Sequence, residues 1–208
     1  MAAVTAGVIL VFVNPNAAAG GLSSETPLSA FRFFTTDSNV LAGIIAALFI
    51  VCQVLSFKGK IDEIPTFVYV LKLVGTVGVA VTLLTVVFYL APFAPNGFLS
   101  MFTGRDLFFH LIVPVLSLAA FVFTENTEKI KLRYTLFGIV PILSYGVIYA
   151  INAFSHAVDG VVPYEYDWYG FAQGGVAFAV VAFTIMIALG YIVSVLLWLG
   201  NKKFARKR

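Results

Sequence analysis

The stretch Phe33–Phe57, FFTTDSNVLAGIIAALFIVCQVLSF, carries the first decision about the fold. From Asn39 to Phe57 it holds no charged side chain, and a helix of roughly 20 such residues crosses a hydrocarbon core of ~30 Å. Similar apolar runs, bounded by polar or Gly/Pro clusters, follow at Phe67–Leu90, Leu107–Phe123, Tyr134–Ile151 and Phe171–Leu199. The start, Met1–Val13, is also apolar but breaks at Asn14-Pro15-Asn16. About 13 residues reach only roughly 20 Å, so either this helix begins upstream of Met1 or it is a partial span. Ala17-Ala18-Ala19 offers a small-residue cleavage site, yet no positive region precedes the apolar stretch, which favours a first helix over a signal peptide. The expectation is one all-α membrane domain over residues 1–208, with about six transmembrane helices.

Composition agrees with that reading. Of 208 residues, 61% are hydrophobic and 11% charged, where soluble domains carry about 25% charged residues. This excludes an ordinary soluble domain, a disordered chain and a nucleic-acid binder, and makes the lipid bilayer the first partner. The single Cys52 forms no intrachain disulfide. Net charge is +3, with five bases gathered in the tail at Lys202, Lys203, Arg206, Lys207 and Arg208.

The bases also set direction. Lys58 and Lys60 lie between spans two and three, and Lys129, Lys131 and Arg133 between four and five. Short loops rich in Lys and Arg stay cytoplasmic, so alternating helices place all of these and the tail on one side, with both termini inside. Lys72, near the same end of span three, has a stem long enough to snorkel. The outer side keeps Arg32 and Arg105 and gathers Glu25, Asp37, Asp106, Asp159, Glu165, Asp167, His110 and His156. Tyr164, Tyr166, Trp168 and Tyr169 read as an interfacial aromatic belt there.

Polar residues concentrate where the outer ends of helices begin. In Thr35-Thr36-Asp37-Ser38-Asn39, a Thr serves as N-cap and Asp37 favours the helix dipole. Asn39, one turn after Thr35, must then find a partner inside the bundle. Span four opens with Thr103 and Asp106 at capping-box spacing. His110 follows four residues later, where the Asp106 carboxylate can orient its ring. An ionisable group one turn into a membrane helix is a functional candidate, the plain alternative being a satisfied interhelical hydrogen bond.

Spans two and four run in the same direction, so Thr35 and His110 lie at similar depth. A hydroxyl needs a base within hydrogen-bond reach to become a nucleophile. A neutral His near a helix start can serve as that base, while free N–H groups there can hold an oxyanion. Tyr145, Tyr149 and Asn152 form a stripe on span five facing the same layer, either lining a pocket or packing the bundle. Gly78 and Thr82, and Gly170, Gly174, Gly175 and Ala179, have small-xxx-small spacing for close helix packing. His110 and His156 with the outer acids lack metal-ligand spacing, so neither a metal nor a cofactor is expected.

Phe33-Phe34-Thr35-Thr36-Asp37-Ser38-Asn39-Val40-Leu41 and His110-Leu111-Ile112-Val113-Pro114 resemble motifs of the androgen-induced gene 1 family and its bacterial six-helix relatives. The resemblance implies an intramembrane threonine hydrolase of fatty-acid esters in a bacterial cell membrane, with Thr35 as nucleophile and His110 as base. Asn39, Asp106, Tyr145 and Tyr149 would then be supporting residues. Thr36 directly after Thr35 leaves two registers for the nucleophile. The competing class is a non-enzymatic membrane protein, a small-solute transporter or an assembly subunit, whose polar layer binds without reacting. Few polar residues continue toward the cytoplasmic side beyond Thr82, Thr85, Ser117 and Ser144, which favours a site closed at that end.

Overall fold

A computed structural model describes residues 1–13, 26–125 and 130–204. The break at 14–16, the small residues 17–19, Glu25, Lys129 and the tail bases Arg206, Lys207 and Arg208 lie outside the described residues. The chain is an all-α membrane bundle. Among the described residues five helices are long and apolar enough to cross a bilayer: α2 (Phe34–Phe57), α3 (Thr66–Phe93), α4 (Gly104–Thr124), α5 (Leu132–Ser155) and α6 (Gly175–Phe204). A shorter apolar helix, α1 (Ala2–Val13), precedes them. Large side chains such as Ile44, Ile148 and Ile192 stand exposed along the helix flanks, the arrangement expected where lipid rather than water is the solvent.

Helix α3 is central: 56% of its most apolar stretch is buried, against 22–28% in the other four spans. Small residues make this possible. A Cβ at Gly75 would stand 3.1 Å from Ile45, and one at Gly78 would stand 3.3 Å from the Ser38 Cβ, so α2 and α3 approach closely where those side chains are missing. Leu73, Val77, Val81, Phe121, Ile142, Val193 and Leu197 form the main core around α3. Helix α1 has 12 residues and reaches about 18 Å. Met1 and Val4 lie beside Ala46, Gly43 and Ser117, and Val11 packs with Ala30 and Phe109. It therefore accompanies the outer half of the bundle.

Several boundaries differ from the sequence reading. Helix α2 begins at Phe34, ahead of both Thr residues; its N-cap is Phe33, which provides no side-chain cap. The expected Thr cap is replaced by a loop residue, since the Phe34 N–H donates to the Tyr169 hydroxyl at 3.1 Å. Helix α6 begins at Gly175 rather than Phe171. Gly170 (φ 71°) and Gly175 (φ 75°) adopt left-handed backbone, so Gly170 belongs to a loop and its small-residue spacing with Gly174 packs no helix pair.

The base-rich end also departs from expectation. Lys72 does not snorkel: it is buried, with its Nζ 3.0 Å from Glu125 Oε1. Asn201 on α6 donates to the carbonyls of Phe121 and Glu125, the latter at 2.6 Å, tying α6 to the end of α4.

Candidate active site

Helix α4 is not regular where His110 sits. Phe108–Ile112 forms a π turn in which the Val113 N–H reaches back five residues to the Phe108 carbonyl. Pro114 has no N–H to offer, so neither residue 113 nor residue 114 donates to the Phe109 carbonyl. Asn39 fills the gap: its Nδ2 donates to that carbonyl at 3.0 Å and to the Thr35 carbonyl at 2.7 Å. The partner required for Asn39 is thus a backbone group orphaned by a proline. This pair of bonds sets the start of α2 against the His110 turn.

The imidazole is held differently from the sequence expectation. His110 Nδ1 lies 2.6 Å from the Met101 carbonyl. A carbonyl only accepts, so Nδ1 carries a proton, and in the neutral tautomer this leaves Nε2 as the acceptor. Among the described residues no hydrogen bond joins Asp106 to the ring; its Oδ1 pairs with Arg105 Nε at 3.4 Å. Nor does Thr103 cap through its side chain, because its hydroxyl donates back to the Ser100 carbonyl at 3.0 Å. Chain geometry explains both departures: the short 3-10 turn Phe98–Phe102 brings carbonyls to the ring and the hydroxyl before Asp106 can compete.

Thr35 and His110 line one small cavity of about 30 Å³, whose walls include Thr36, Arg105, Asp106 and Tyr169. This is room for one or two waters. On its other side Thr35 borders a second cavity of about 50 Å³, walled by Thr82, Thr85, Tyr145, Tyr149, Tyr169 and Phe183. Thr35, Leu90 and Tyr169 belong to both walls. Thr36 faces only the polar cavity and is buried, so position separates the two Thr registers. Among the described residues no hydrogen bond joins the Thr35 and His110 side chains; catalytic contacts of this kind commonly tighten only around substrate.

Tyr145 and Tyr149 both reach this layer, but Asn152 does not line either cavity. Tyr145 donates to the Arg32 carbonyl at 2.6 Å and accepts from Trp168 Nε1 at 3.1 Å. Tyr149 donates to Asp167. The carboxylate of Asp167 also accepts from the Ala172 N–H and from Gln173 Nε2, each at 2.9 Å. Asp167 is thereby fully buried, and among the described residues no basic side chain pairs with it.

The aromatic run was read as a belt, and only part of it is one. Tyr164 is exposed and Tyr166 stacks on His156 at 3.7 Å, but Trp168 and Tyr169 fold inward over the site. Burial pushes the Tyr169 hydroxyl up to about 12, so it keeps its proton at neutral pH. Tyr169 is the site residue that sequence reasoning missed. A signal was present in Asp167, an acid on a face without enough bases to pair with it. Three of the helix-start N–H groups expected to hold an oxyanion are occupied at α2, that of Phe34 by Tyr169 and those of Thr36 and Asp37 by the Phe33 carbonyl. Among the described residues no three His, Cys, Asp or Glu side chains are grouped to hold a metal ion. No protein-family model, curated protein or solved structure matches the chain.

Proposed function

We propose that the chain is an intramembrane hydrolase of lipid-like esters, with Thr35 as nucleophile and His110 as base. The observation that carries this reading is the shared cavity: Thr35 and His110 line it together, and His110 is held in the tautomer that leaves Nε2 to accept a proton. In the first step the Thr35 hydroxyl gives its proton to Nε2 as its oxygen bonds to the ester carbonyl carbon. The tetrahedral adduct collapses, the C–O bond to the alcohol breaks, and the departing oxygen takes the proton from Nε2. Water then repeats the sequence on the acyl-Thr35 ester and releases the acid.

With those three α2 backbone donors occupied, the Tyr169 hydroxyl is the donor assigned to the oxyanion, since it borders both cavities with Thr35 and stays protonated. Tyr145 and Tyr149 act at one remove, fixing the loop that carries Trp168 and Asp167 around Tyr169. Asp106 holds the Arg105 side chain in the polar wall. The same assignment extends the resemblance to the androgen-induced gene 1 family, and a bacterial cell membrane is the setting that resemblance implies.

The test is labelling of membranes with an active-site fluorophosphonate, comparing wild type with Thr35→Ala, Thr36→Ala and His110→Ala. Label lost in the first and third and retained in the second is the expected result. Labelling unchanged in all three would remove the mechanism.

A further inference from the structure

The small chamber beside Thr35 does not end blindly. Three of its wall residues, Thr85, Phe171 and Met186, are also walls of a groove of about 430 Å³ between α3 and α6. That groove is floored by Phe88, Phe178 and Val181, all of which stand exposed on the apolar flank of the bundle. On the opposite side, the polar cavity shares Leu90, Met101 and Tyr169 with an outer groove of about 440 Å³ that includes Tyr164 and Trp168. Thr35 thus stands between two cavities, one adjoining the apolar groove on the helix flank and the other adjoining the outer groove.

Resting on the hydrolase reading, we propose that the α3–α6 groove is the acyl-chain channel of the substrate, and that Thr85 is the gate setting how much chain the site accepts. The substrate class is a single-chain amphiphile: its carbonyl at Thr35, its first carbons in the 50 Å³ chamber, the rest of its tail in the groove, and its polar alcohol portion on the His110 side. The volumes require this division, because the chamber next to Thr35 admits only a short segment while the groove beyond Thr85 is several times larger. The placement of charged groups points the same way. Arg105 and Asp106 border the polar cavity, and the apolar chamber has no charged wall residue.

Thr85 is suited to a test because its buried hydroxyl has no hydrogen-bond partner, so an apolar replacement breaks no bond. The experiment compares para-nitrophenyl butyrate with para-nitrophenyl palmitate on purified protein in detergent, for wild type, Thr85→Phe, Val181→Trp and Thr35→Ala. Blocking the channel lowers the palmitate-to-butyrate ratio of kcat/KM by about tenfold or more, the usual scale when an apolar pocket loses chain contacts. Val181 lies on the exposed flank, so its variant covers the case in which Thr85→Phe does not fold. A ratio unchanged in the folded variants, with Thr35→Ala inactive, overturns the channel and leaves the hydrolase standing. Turnover absent in wild type, or equal in Thr35→Ala, overturns the hydrolase itself.

Discussion

The two ends of α4 are built alike and do different things. Each contains a π turn, Phe108–Ile112 at the outer end and Ala120–Thr124 at the base-rich end. At each, a carbonyl in the turn is taken by an Asn amide from another helix, Phe109 by Asn39 and Phe121 by Asn201. At the outer end the neighbouring polar groups, Thr35 and His110, open on cavities. At the other end Lys72 and Glu125 close on each other at 3.0 Å. A polar side chain inside a membrane helix is a candidate for function by default, and this pair of sites separates the cases. Polarity that faces a cavity is available for chemistry, whereas polarity that is paired across to a neighbouring helix is a clamp.

The strongest way to break the comparison is to remove the proposed chemistry. Thr35→Ala lowers kcat on a short-chain ester by about 10³-fold or more with the unfolding midpoint nearly unchanged, and His110→Ala lowers it by about 10²–10⁴-fold while also orphaning the Met101 carbonyl. The double variant Lys72→Met with Glu125→Leu leaves turnover intact. Loss of turnover in that double variant would show that the base-rich end is more than a clamp.

Next in size is the ion pair. Lys72→Met alone leaves a buried carboxylate without its partner and costs about 3–5 kcal/mol, measured by chemical unfolding in detergent. Replacing both residues by apolar ones recovers most of that loss. A smaller effect sharpens the likeness of the two clamps: Asn39→Ala and Asn201→Ala each orphan buried carbonyls and each cost about 1–3 kcal/mol. Only Asn39→Ala also reduces turnover, because Asn39 joins the Thr35 turn to the His110 turn.

The smallest expected signal is a pH slope. Burial outweighs Lys72 and holds the Glu125 carboxyl above its ordinary value of 4.5, in keeping with its buried and unpartnered Oε2. The folded state therefore binds this proton more tightly than the unfolded chain. Its contribution is fully present below that ordinary value and is lost as pH rises through the folded value. Unfolding midpoints followed from acid to neutral pH show this decline in wild type, and Glu125→Gln flattens it.

Much of this was legible without coordinates. Apolar run length depends on local composition, and it located the five long helices to within a few residues at most boundaries. The same reading singled out Thr35, Asn39 and His110, because hydrophilic side chains at helix starts stand out against an apolar background. The failures share a cause. The cap of α2, the partner of His110 Nδ1, and the inward fold of Trp168 and Tyr169 all depend on groups brought together through the tertiary fold or a local turn. Asp167 stood out as an acid on a face short of bases, but its role as a buried acceptor for three donors is set by the loop before α6.

What the sequence alone determined is the solvent of this protein, the number of its long helices and the end at which most of its acids and both histidines collect, since hydropathy and charge are properties of each segment by itself. Tertiary structure alone decided which polar groups face a cavity and which are paired across to a neighbouring helix. A hydrogen bond is short and directional, and whether it forms between α2, α4, α5 and the loop before α6 depends on how those segments meet.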